Sequence, residues 1–384
     1  MSSNPPAAPP APPAAVPNAI PFPNLVAMMI RKSDKISDLI FSPGKPPQVE
    51  LLGKLEPVPA PGWEMLTAET TLAIANHLIG DNQKARNQLK DDGSADISYA
   101  LANFSRFRVN VFKQRGTCAI VMRVIPVKIP TFDELKLPPS LRDITHMKNG
   151  IVLVTGPTGS GKSSTLAAII NLINETYAYH IVTIEDPIEF LHPHKSSTIH
   201  QRELHNDCPT FSKALRAALR QAPKVILVGE MRDVETIEIA LEASETGHLV
   251  MSTLHTTDAA KTVDRIIGVF PKNEEQVIRT RLSNAFKFII SQRLLPKADK
   301  SGRVAAMEVL KSTVRTREYI EKAGSASEGK SLLDAMKDGN TEGMQTFDQV
   351  IEKLIRNRVV TMDIGLQYAT NAGNLRLELA DFAP

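Results

Sequence analysis

The chain has 384 residues, 42% of them apolar and 23% charged, and its 45 basic and 42 acidic side chains give a formal net charge of +3. This composition is typical of a globular protein, and the length predicts two or three domains. The near balance of basic and acidic residues, without long runs of one sign, argues against a basic surface that binds nucleic acid or an anionic membrane. No apolar run approaches the roughly 20 residues that a membrane span needs. The two cysteines, Cys118 and Cys208, are far apart in sequence and form neither a metal-ligand cluster nor a redox pair, so we expect reduced thiols in a cytoplasmic protein without direct membrane insertion.

The amino-terminal residues 1–23 are dominated by proline and alanine, with nine prolines. Proline lacks an amide donor and fixes φ, so the pattern predicts an extended, disordered tail. The segment also lacks the basic start and leucine-rich core of a secretory signal.

Residues 24–125 mix helical and strand patterns and are predicted to form a small α+β domain. Its predicted elements are an amphipathic helix after Asn24, a strand at Gln48–Leu52, a helix at Thr67–Ile79 with a threonine start signal, and strands at Phe104–Phe112 and Ile120–Ile125. Four prolines within residues 126–140 then predict a linker between domains.

Residues 141–378 change to short, continuously apolar runs that alternate with helical patterns. The predicted strands are Ile151–Thr155, His180–Ile184, Val225–Val228 and Leu249–Thr253, and the predicted helices are Ser163–Asn174, Phe211–Gln221 and Glu235–Ser244. Strands buried on both faces and separated by helices predict an α/β domain with a parallel sheet. From Ala259 onward the pattern is mostly helical.

A phosphate-binding loop is predicted between the first strand and the first helix of this α/β domain, where Gly156–Ser163 fits G-x-x-x-x-G-K-[ST]. Glycines let the backbone wrap around phosphate, and the following helix offers its positive amino terminus to the same anion. Lys162 should reach the β- and γ-phosphates, and the Ser163 hydroxyl should ligate Mg²⁺. The predicted ligands are therefore ATP and Mg²⁺, and the candidate binding residues are Gly156, Pro157, Thr158, Gly159, Ser160, Gly161, Lys162, Ser163 and Ser164.

Polar clusters accompany the next three strands, and we expect them at the carboxyl edge of the sheet, where such folds bind ligands. Hydrolysis needs one carboxylate to orient water and another to hold Mg²⁺, and Glu189 and Glu230 are the candidates, with Lys162 also counted as catalytic. We expect Glu189 to act as the base and Glu230 to hold the metal, although the sequence leaves these roles exchangeable.

Three further side chains in these clusters are candidates. Arg232 follows Glu230 closely and is a catalytic candidate, as is His255. His248 and His255 flank the fourth strand, and either could hydrogen bond the γ-phosphate or serve a structural role.

Together these motifs resemble the secretion-superfamily ATPases, specifically the PilT-like type IV pilus retraction motors. The four motifs that carry the resemblance are the Walker A loop at Gly156–Ser163, an Asp box at Thr183–Phe190, a Walker B region at Ile226–Asp233 and a His box at Thr246–Thr256. Ser37–Leu39, Arg106–Asn110 and Gly343–Thr346 match further family elements, so the resemblance covers roughly residues 24–378.

The resemblance implies a PAS-like amino-terminal domain, a RecA-like ATPase domain and a homohexameric ring at the periphery of the inner membrane. It also implies ATP bound between the two domains, a membrane platform protein as partner, and a paralogous pilus ATPase as a further partner. Amino-terminal arginines close on the nucleotide in this family, and by position these are Arg106, Arg108 and Arg123; exposed strand charge is the alternative interpretation.

Two departures from the family pattern keep alternatives open. Glu321 stands where the family's AIRNLIRE element has its second arginine, and Lys224 stands where aspartate is usual. The first departure leaves open an accessory, PilU-like subunit. Extension and secretion ATPases carry a four-cysteine zinc module, which this chain cannot build after Cys208. A RecA-like nucleic-acid motor would need a basic channel with stacking aromatic residues, and a non-hydrolysing nucleotide-binding module is disfavoured by Glu189 and Glu230.

Overall fold

The computed structural model describes residues 20–101, 105–126, 128–322 and 331–382. The chain divides into two compact units, Met1–Val127 and Lys128–Pro384. Within the described ranges, no helix combines the length and apolar character required to cross a membrane. Most of the predicted proline-rich tail lies outside the described residues.

The first unit is a six-stranded antiparallel sheet with three helices. Its elements are α1 (Phe22–Arg31), β1 (Ile36–Phe41), β2 (Gln48–Leu51), β3 (Lys54–Pro57), α2 (Ala68–Ile79), α3 (Gln83–Asp91), β4 (Ser94–Leu101), β5 (Ser105–Gln114) and β6 (Thr117–Ile125). The strand order is β3-β2-β1-β6-β5-β4. Thr67 caps α2 as predicted, because its side chain accepts the amide of Thr70 at 3.1 Å. Side chains from α1, α2 and the sheet share one buried core.

Helix α1 begins at Phe22, inside the segment predicted to be an unstructured tail. Pro23 sits in the first turn, where a missing amide breaks no helical hydrogen bond. Phe22, Leu25 and Met29 are buried, so apolar burial outweighs the proline content at this point. The tail boundary at residue 23 was therefore placed too late.

The second unit is an α/β domain with a seven-stranded sheet. Its strands are β7 (Gly150–Thr155), β8 (His180–Glu185), β9 (Thr198–Glu203), β10 (Val225–Glu230), β11 (Leu249–Leu254), β12 (Phe286–Pro296) and β13 (Arg303–Lys311). Its helices are α4 (Lys162–Thr176), α5 (Phe211–Ala218), α6 (Val234–Glu245), α7 (Ala259–Ile267), α8 (Glu275–Ala285), α9 (Val314–Lys322), α10 (Leu332–Asp338), α11 (Phe347–Arg356), α12 (Met362–Tyr368) and α13 (Ala372–Glu378), with short 3₁₀ segments at Pro139–His146 and Gly339–Glu342.

The sheet order is β13-β12-β7-β11-β10-β8-β9, and every neighbouring pair from β12 to β9 is parallel. Only β13 runs antiparallel to its neighbour in this sheet. Every residue of β7 is buried, and large apolar clusters cover both faces of the sheet. The predicted fold class, an α/β domain with a parallel sheet after a smaller α+β domain, is confirmed.

The prediction of a mostly helical chain after Ala259 is wrong for β12 and β13. Helix α8 ends at Ala285 and β12 begins at the next residue, with no glycine or proline to mark the change. Most residues of Phe286–Pro296 are buried, but apolar and polar residues do not alternate along it, so the pattern does not distinguish a strand from a buried helix.

The predicted linker also differs from the structure over its described residues after 127. Phe132 and Leu137 are buried in the core of the second unit. The prolines therefore shape a segment that packs on the α/β domain rather than a free connection.

Candidate active site

The predicted phosphate loop connects β7 to α4, and its glycines adopt backbone angles that other residues avoid. Gly156, Gly159 and Gly161 have φ of 145°, 77° and 92°. A Cβ on Gly156 would lie 2.5 Å from the carbonyl oxygen of Gln292 and 2.6 Å from Ser160 Oγ, so only glycine fits there. No side chain caps the first turn of α4, which leaves its amides available to an anion.

Lys162 lies at the start of α4 and is folded back onto the loop. Its Nζ donates to the carbonyl oxygens of Gly156 at 2.9 Å and Pro157 at 3.1 Å. The residue is only 9% exposed, and this burial lowers the pKa of Lys162, opposed by the nearby charges of Glu230 and Glu189. The ammonium group is thus close enough to both predicted catalytic carboxylates for their charges to act on it.

A cleft of 690 Å³ opens beside the loop at the carboxyl edge of the sheet. Parallel strands end at this edge together, which brings side chains from distant parts of the sequence into one site. The predicted residues that line the cleft are Thr158, Gly159, Gly161, Lys162, Ser163, Ser164, Glu189, Glu230, Arg232 and His255. Gly156, Pro157 and Ser160 complete the loop itself, and Pro157 and Ser160 line a neighbouring cavity.

Glu230, at the end of β10, lies next to two of the other candidates. Arg232 Nε forms an ion pair with Glu230 Oε1, and His255 Nε2 lies 3.6 Å from the same oxygen. The hydrogen bond from Arg232 raises the pKa of its guanidinium. The Glu230 side chain is 18% exposed, so this carboxylate is largely withdrawn from solvent and already paired.

Glu189 has a different environment, in the exposed loop that follows β8. Among the described residues, its carboxylate has no hydrogen bond or ion pair. Its carboxylate charge acts on Lys162 and on Glu185. A carboxylate that is open to solvent and faces the loop lysine is suited to accept a proton from water.

A half-buried glutamate that lines the cleft, Glu185, escaped the sequence analysis. Glu185 Oε1 accepts the Thr183 hydroxyl at 2.6 Å and Gln201 Nε2 at 3.0 Å, and burial raises the pKa of Glu185. Gln201 also donates to the carbonyl oxygen of Phe190 at 2.8 Å and accepts the amide of His192 at 2.8 Å. Gln201 therefore fixes the loop that carries Glu189. The strand that carries Gln201, β9, was not predicted. Glu185 lies within the Asp box, but it was not singled out as a candidate.

His192 lines the same cleft. Burial, with a smaller effect from Lys195, lowers the pKa of His192 to about 4. The imidazole is therefore neutral at neutral pH, which suits a side chain close to a cationic loop.

His248 does not lie at this edge of the sheet, and that expectation is corrected. It precedes β11, whose first residue, Leu249, pairs with Gly150 at the start of β7. The loop begins only after Thr155, at the other end of β7. His248 Nδ1 lies 3.0 Å from the carbonyl oxygen of Ala243, a contact that closes the turn after α6.

The three candidate arginines of the first unit lie on its sheet. Arg106 and Arg108 are on β5, Arg123 is on β6, and Arg108 pairs with Arg123 in the register of these strands. Arg123 Nε donates to Asp38 Oδ1 at 3.0 Å, and Arg108 Nε lies 4.0 Å from Asp96.

The donors available for a metal ion near the loop are few. Ser163 and Glu230 both line the cleft, and no group of three or more histidine, cysteine, aspartate or glutamate side chains suited to a metal occurs in the described parts of the chain. One hydroxyl and one carboxylate fit Mg²⁺, which keeps most of its waters and takes phosphate oxygens as ligands.

Comparison with known proteins shows wide similarity. A family model described as type II/IV secretion system protein matches residues 67–372. The chain is 42% identical over 327 residues to the type IV pilus retractation ATPase PilT of Pseudomonas aeruginosa, covering 85% of this chain and 92% of that protein. It is 38% identical over 357 residues to the type IV pilus ATPase PilU of the same organism, covering 93% and 90%. A crystal structure of the pilus retraction motor PilT with bound ADP matches with a TM-score of 0.80 at 39% identity, covering 92% of this chain and 98% of that chain.

Proposed function

Because the chain belongs to the type II/IV secretion system protein family, among its PilT-like ATPases, we propose that it is a hexameric motor that powers type IV pilus retraction by Mg²⁺-dependent ATP hydrolysis. The family and the ATPase class predicted from the motifs are confirmed. The hexamer, the metal dependence and the direction of movement are proposals.

The observation that carries the proposal is the convergence of the phosphate loop and two carboxylates on one cleft. Lys162, which uses two of its three donors on the carbonyl oxygens of Gly156 and Pro157, would donate the third to the phosphates. Glu189 would accept the proton of the attacking water. Mg²⁺, held by Ser163 with Glu230 through water, would neutralise charge on the phosphate oxygens. The contact with Arg232 favours Glu230 as the metal-side carboxylate, because one of its oxygens is already occupied by an ion pair while the Glu189 carboxylate is open to water.

Arg106, Arg108 and Arg123 are proposed to close on the nucleotide from the same or a neighbouring subunit. Guanidinium groups pair bidentately with phosphate and would stabilise the charge that develops during hydrolysis. Release of that clamp would let the domains rotate as rigid bodies. In a ring, these rotations would act on a platform protein at the inner membrane, with a paralogous pilus ATPase as a second partner.

An accessory role, like that of PilU, is the second candidate, and Glu321 supports it. Glu321 lies on α9 and accepts the hydroxyl of Thr280 at 3.2 Å, while its carbonyl oxygen accepts Gln276 Nε2 at 3.2 Å. Both bonds join α9 to α8, so Glu321 is part of the packing between these helices. Retraction ATPases have an arginine at this position, so α9 carries a negative charge here in place of a positive one.

Deletion of the gene in its host tests the proposal. Loss of a retraction motor should leave cells with excess pili and no twitching, and wild-type protein should restore movement while the Lys162→Ala variant should not. Cells without pili would instead assign the protein to extension. Deletants that still twitch, with a defect only under load or in the absence of a paralogue, would favour the accessory role.

A further inference from the structure

A buried threonine on α7, Thr262, joins the turn that follows β11 to the end of β7. The residue is 0% exposed, and its Oγ1 lies 2.6 Å from Thr256 Oγ1 and 3.5 Å from Thr155 Oγ1. Thr256 follows His255 directly, and Thr155 is the last residue of β7, next to Gly156. One side chain therefore contacts the neighbour of a candidate catalytic histidine and the residue that precedes the phosphate loop.

The direction of the bond between Thr262 and Thr256 follows from the protons available. A threonine hydroxyl has one proton, and Thr262 donates it to the carbonyl oxygen of Asp258 at 2.7 Å. The Thr256 hydroxyl is therefore the donor in the 2.6 Å contact. Thr262 Oγ1 is thus the acceptor that holds the Thr256 side chain on α7.

The backbone is anchored on both sides of His255, and the second anchor is this hydrogen bond. Leu254, on the amino-terminal side, is the last residue of β11 and pairs with β7. Thr256, on the other side, is bonded to Thr262. The His255 side chain is 45% exposed, and in the described parts of the chain its ring has one polar contact, with Glu230 Oε1 at 3.6 Å. Because the ring itself is weakly held, its position follows that of its backbone.

We propose that Thr262 is a positioning residue that, through Thr256, holds His255 beside Glu230. The hydrogen bond that Thr262 accepts fixes the turn between β11 and α7, and it keeps the imidazole next to the carboxylate that is proposed to support Mg²⁺. Thr262 acts through these neighbours and not on the nucleotide. The inference rests on the proposed function, because this arrangement affects a rate only if ATP is hydrolysed in the cleft.

Thr262→Val tests the proposal, because it removes the acceptor and keeps the shape of the side chain. The variant should fold, since the Asp258 carbonyl oxygen still accepts the backbone amide of residue 262 at 3.1 Å. We expect kcat for phosphate release to fall about two- to tenfold, as for the loss of one hydrogen bond, with little change in the KM for ATP. Thr262→Ser, which restores the hydroxyl, should restore the rate. An unchanged kcat in Thr262→Val would overturn the proposal.

Hydrogen–deuterium exchange of the nucleotide-free protein, followed by mass spectrometry, measures the turn itself. Amides within residues 255–262 should exchange about two- to tenfold faster in Thr262→Val, because loss of one hydrogen bond favours local opening by about that factor. Peptides from α2 and β7 should keep their wild-type rates. Wild-type exchange in residues 255–262, or faster exchange in every peptide, would also overturn the proposal.

His255→Ala shows whether the effect of Thr262 passes through the histidine. Thr262→Val should lower kcat no more than His255→Ala does, and the double variant should be no slower than His255→Ala alone. A larger loss in Thr262→Val, or a further loss in the double variant, would place the effect elsewhere and contradict the assignment.

Thr71→Val is the matched control. Thr71 is equally buried, on α2 of the first unit, and its hydroxyl donates to the carbonyl oxygen of Ala68 at 3.1 Å. Its replacement should leave kcat and the exchange of residues 255–262 unchanged. Failure of the proposed function would appear in the wild-type protein, which would release no phosphate, whereas failure of this inference alone leaves wild-type and Thr262→Val protein turning over equally.

Discussion

The ammonium group of Lys162 donates a hydrogen bond to the carbonyl oxygen of Gly156 at 2.9 Å. The lysine that is proposed to bind phosphate thus also binds the backbone of the phosphate loop. A second bond, to Pro157 at 3.1 Å, fixes the same position. An ammonium group has three N–H donors, so Lys162 can keep both bonds and still donate one to a phosphate oxygen.

Gly156→Ala should abolish nucleotide binding and lower stability, whereas Gly159→Ala should cause a smaller loss. Both glycines have positive φ, but a Cβ on Gly156 would meet the Gln292 carbonyl oxygen at 2.5 Å, and one on Gly159 would meet nothing within 4 Å. Backbone strain alone costs roughly 1–3 kcal/mol, and the clash adds to it. Calorimetric titration with ATP and thermal unfolding measure both effects. Equal losses in the two variants would show that the contact with Gln292 is unimportant.

Glu189→Gln should bind ATP with near wild-type affinity and lose about 10²–10⁴-fold in kcat, because a general base is removed while the loop is intact. Glu230→Gln should instead raise the Mg²⁺ concentration needed for half-maximal rate, since its carboxylate supports the metal. Phosphate release measured over a magnesium titration separates the variants. If Glu230→Gln stalls at saturating Mg²⁺ while Glu189→Gln turns over normally, the two roles are exchanged.

Gln201→Leu should lower kcat about tenfold with little change in nucleotide affinity. Its hydrogen bonds to Glu185, Phe190 and His192 hold the loop that carries Glu189, and none of them contacts the phosphate loop. Thr198→Ala, an exposed change on the same strand, is the control. An unchanged kcat in Gln201→Leu would show that β9 does not position Glu189.

Glu308→Gln should change the pH dependence of stability. Burial raises the pKa of Glu308 to about 7 from its usual 4.5, so between these pH values the folded chain holds a proton that the unfolded chain has lost. The contribution is present below pH 4.5 and is lost as pH rises to 7, where the wild-type protein should lose roughly 3 kcal/mol relative to the variant. Glutamine still accepts the Ala259 amide, which donates to Glu308 at 2.8 Å. Denaturant unfolding from pH 4.5 to 8 measures the difference, and parallel curves would contradict the assignment.

Much of the second unit could be predicted, because its central strands are continuous apolar runs next to amphipathic helices. The loop between β7 and α4 and the carboxylates after β8 and β10 follow from that alternation, since parallel strands end at one edge. His248 was misplaced because a motif that spans a strand has one end at each edge of the sheet. Sequence order alone did not show which end of the His box meets the cleft.

The supporting residues could not be predicted because their positions depend on strand order. Gln292 reaches the loop only because β12 is the neighbour of β7, and Gln201 reaches Glu185 only because β9 pairs with β8. Strand β9 lies at the sheet edge with mixed burial, and β12 follows α8 without a break. Neither strand carries a pattern that would have identified its polar side chains as part of the site.

Phosphate release from ATP by the purified protein, with Mg²⁺ and with EDTA, is the most direct test of ATP hydrolysis at the phosphate loop. We expect turnover that depends on Mg²⁺ in the wild-type protein and no turnover in Lys162→Ala, whose circular dichroism spectrum should match that of the wild type. A Lys162→Ala protein that releases phosphate at the wild-type rate would contradict this expectation.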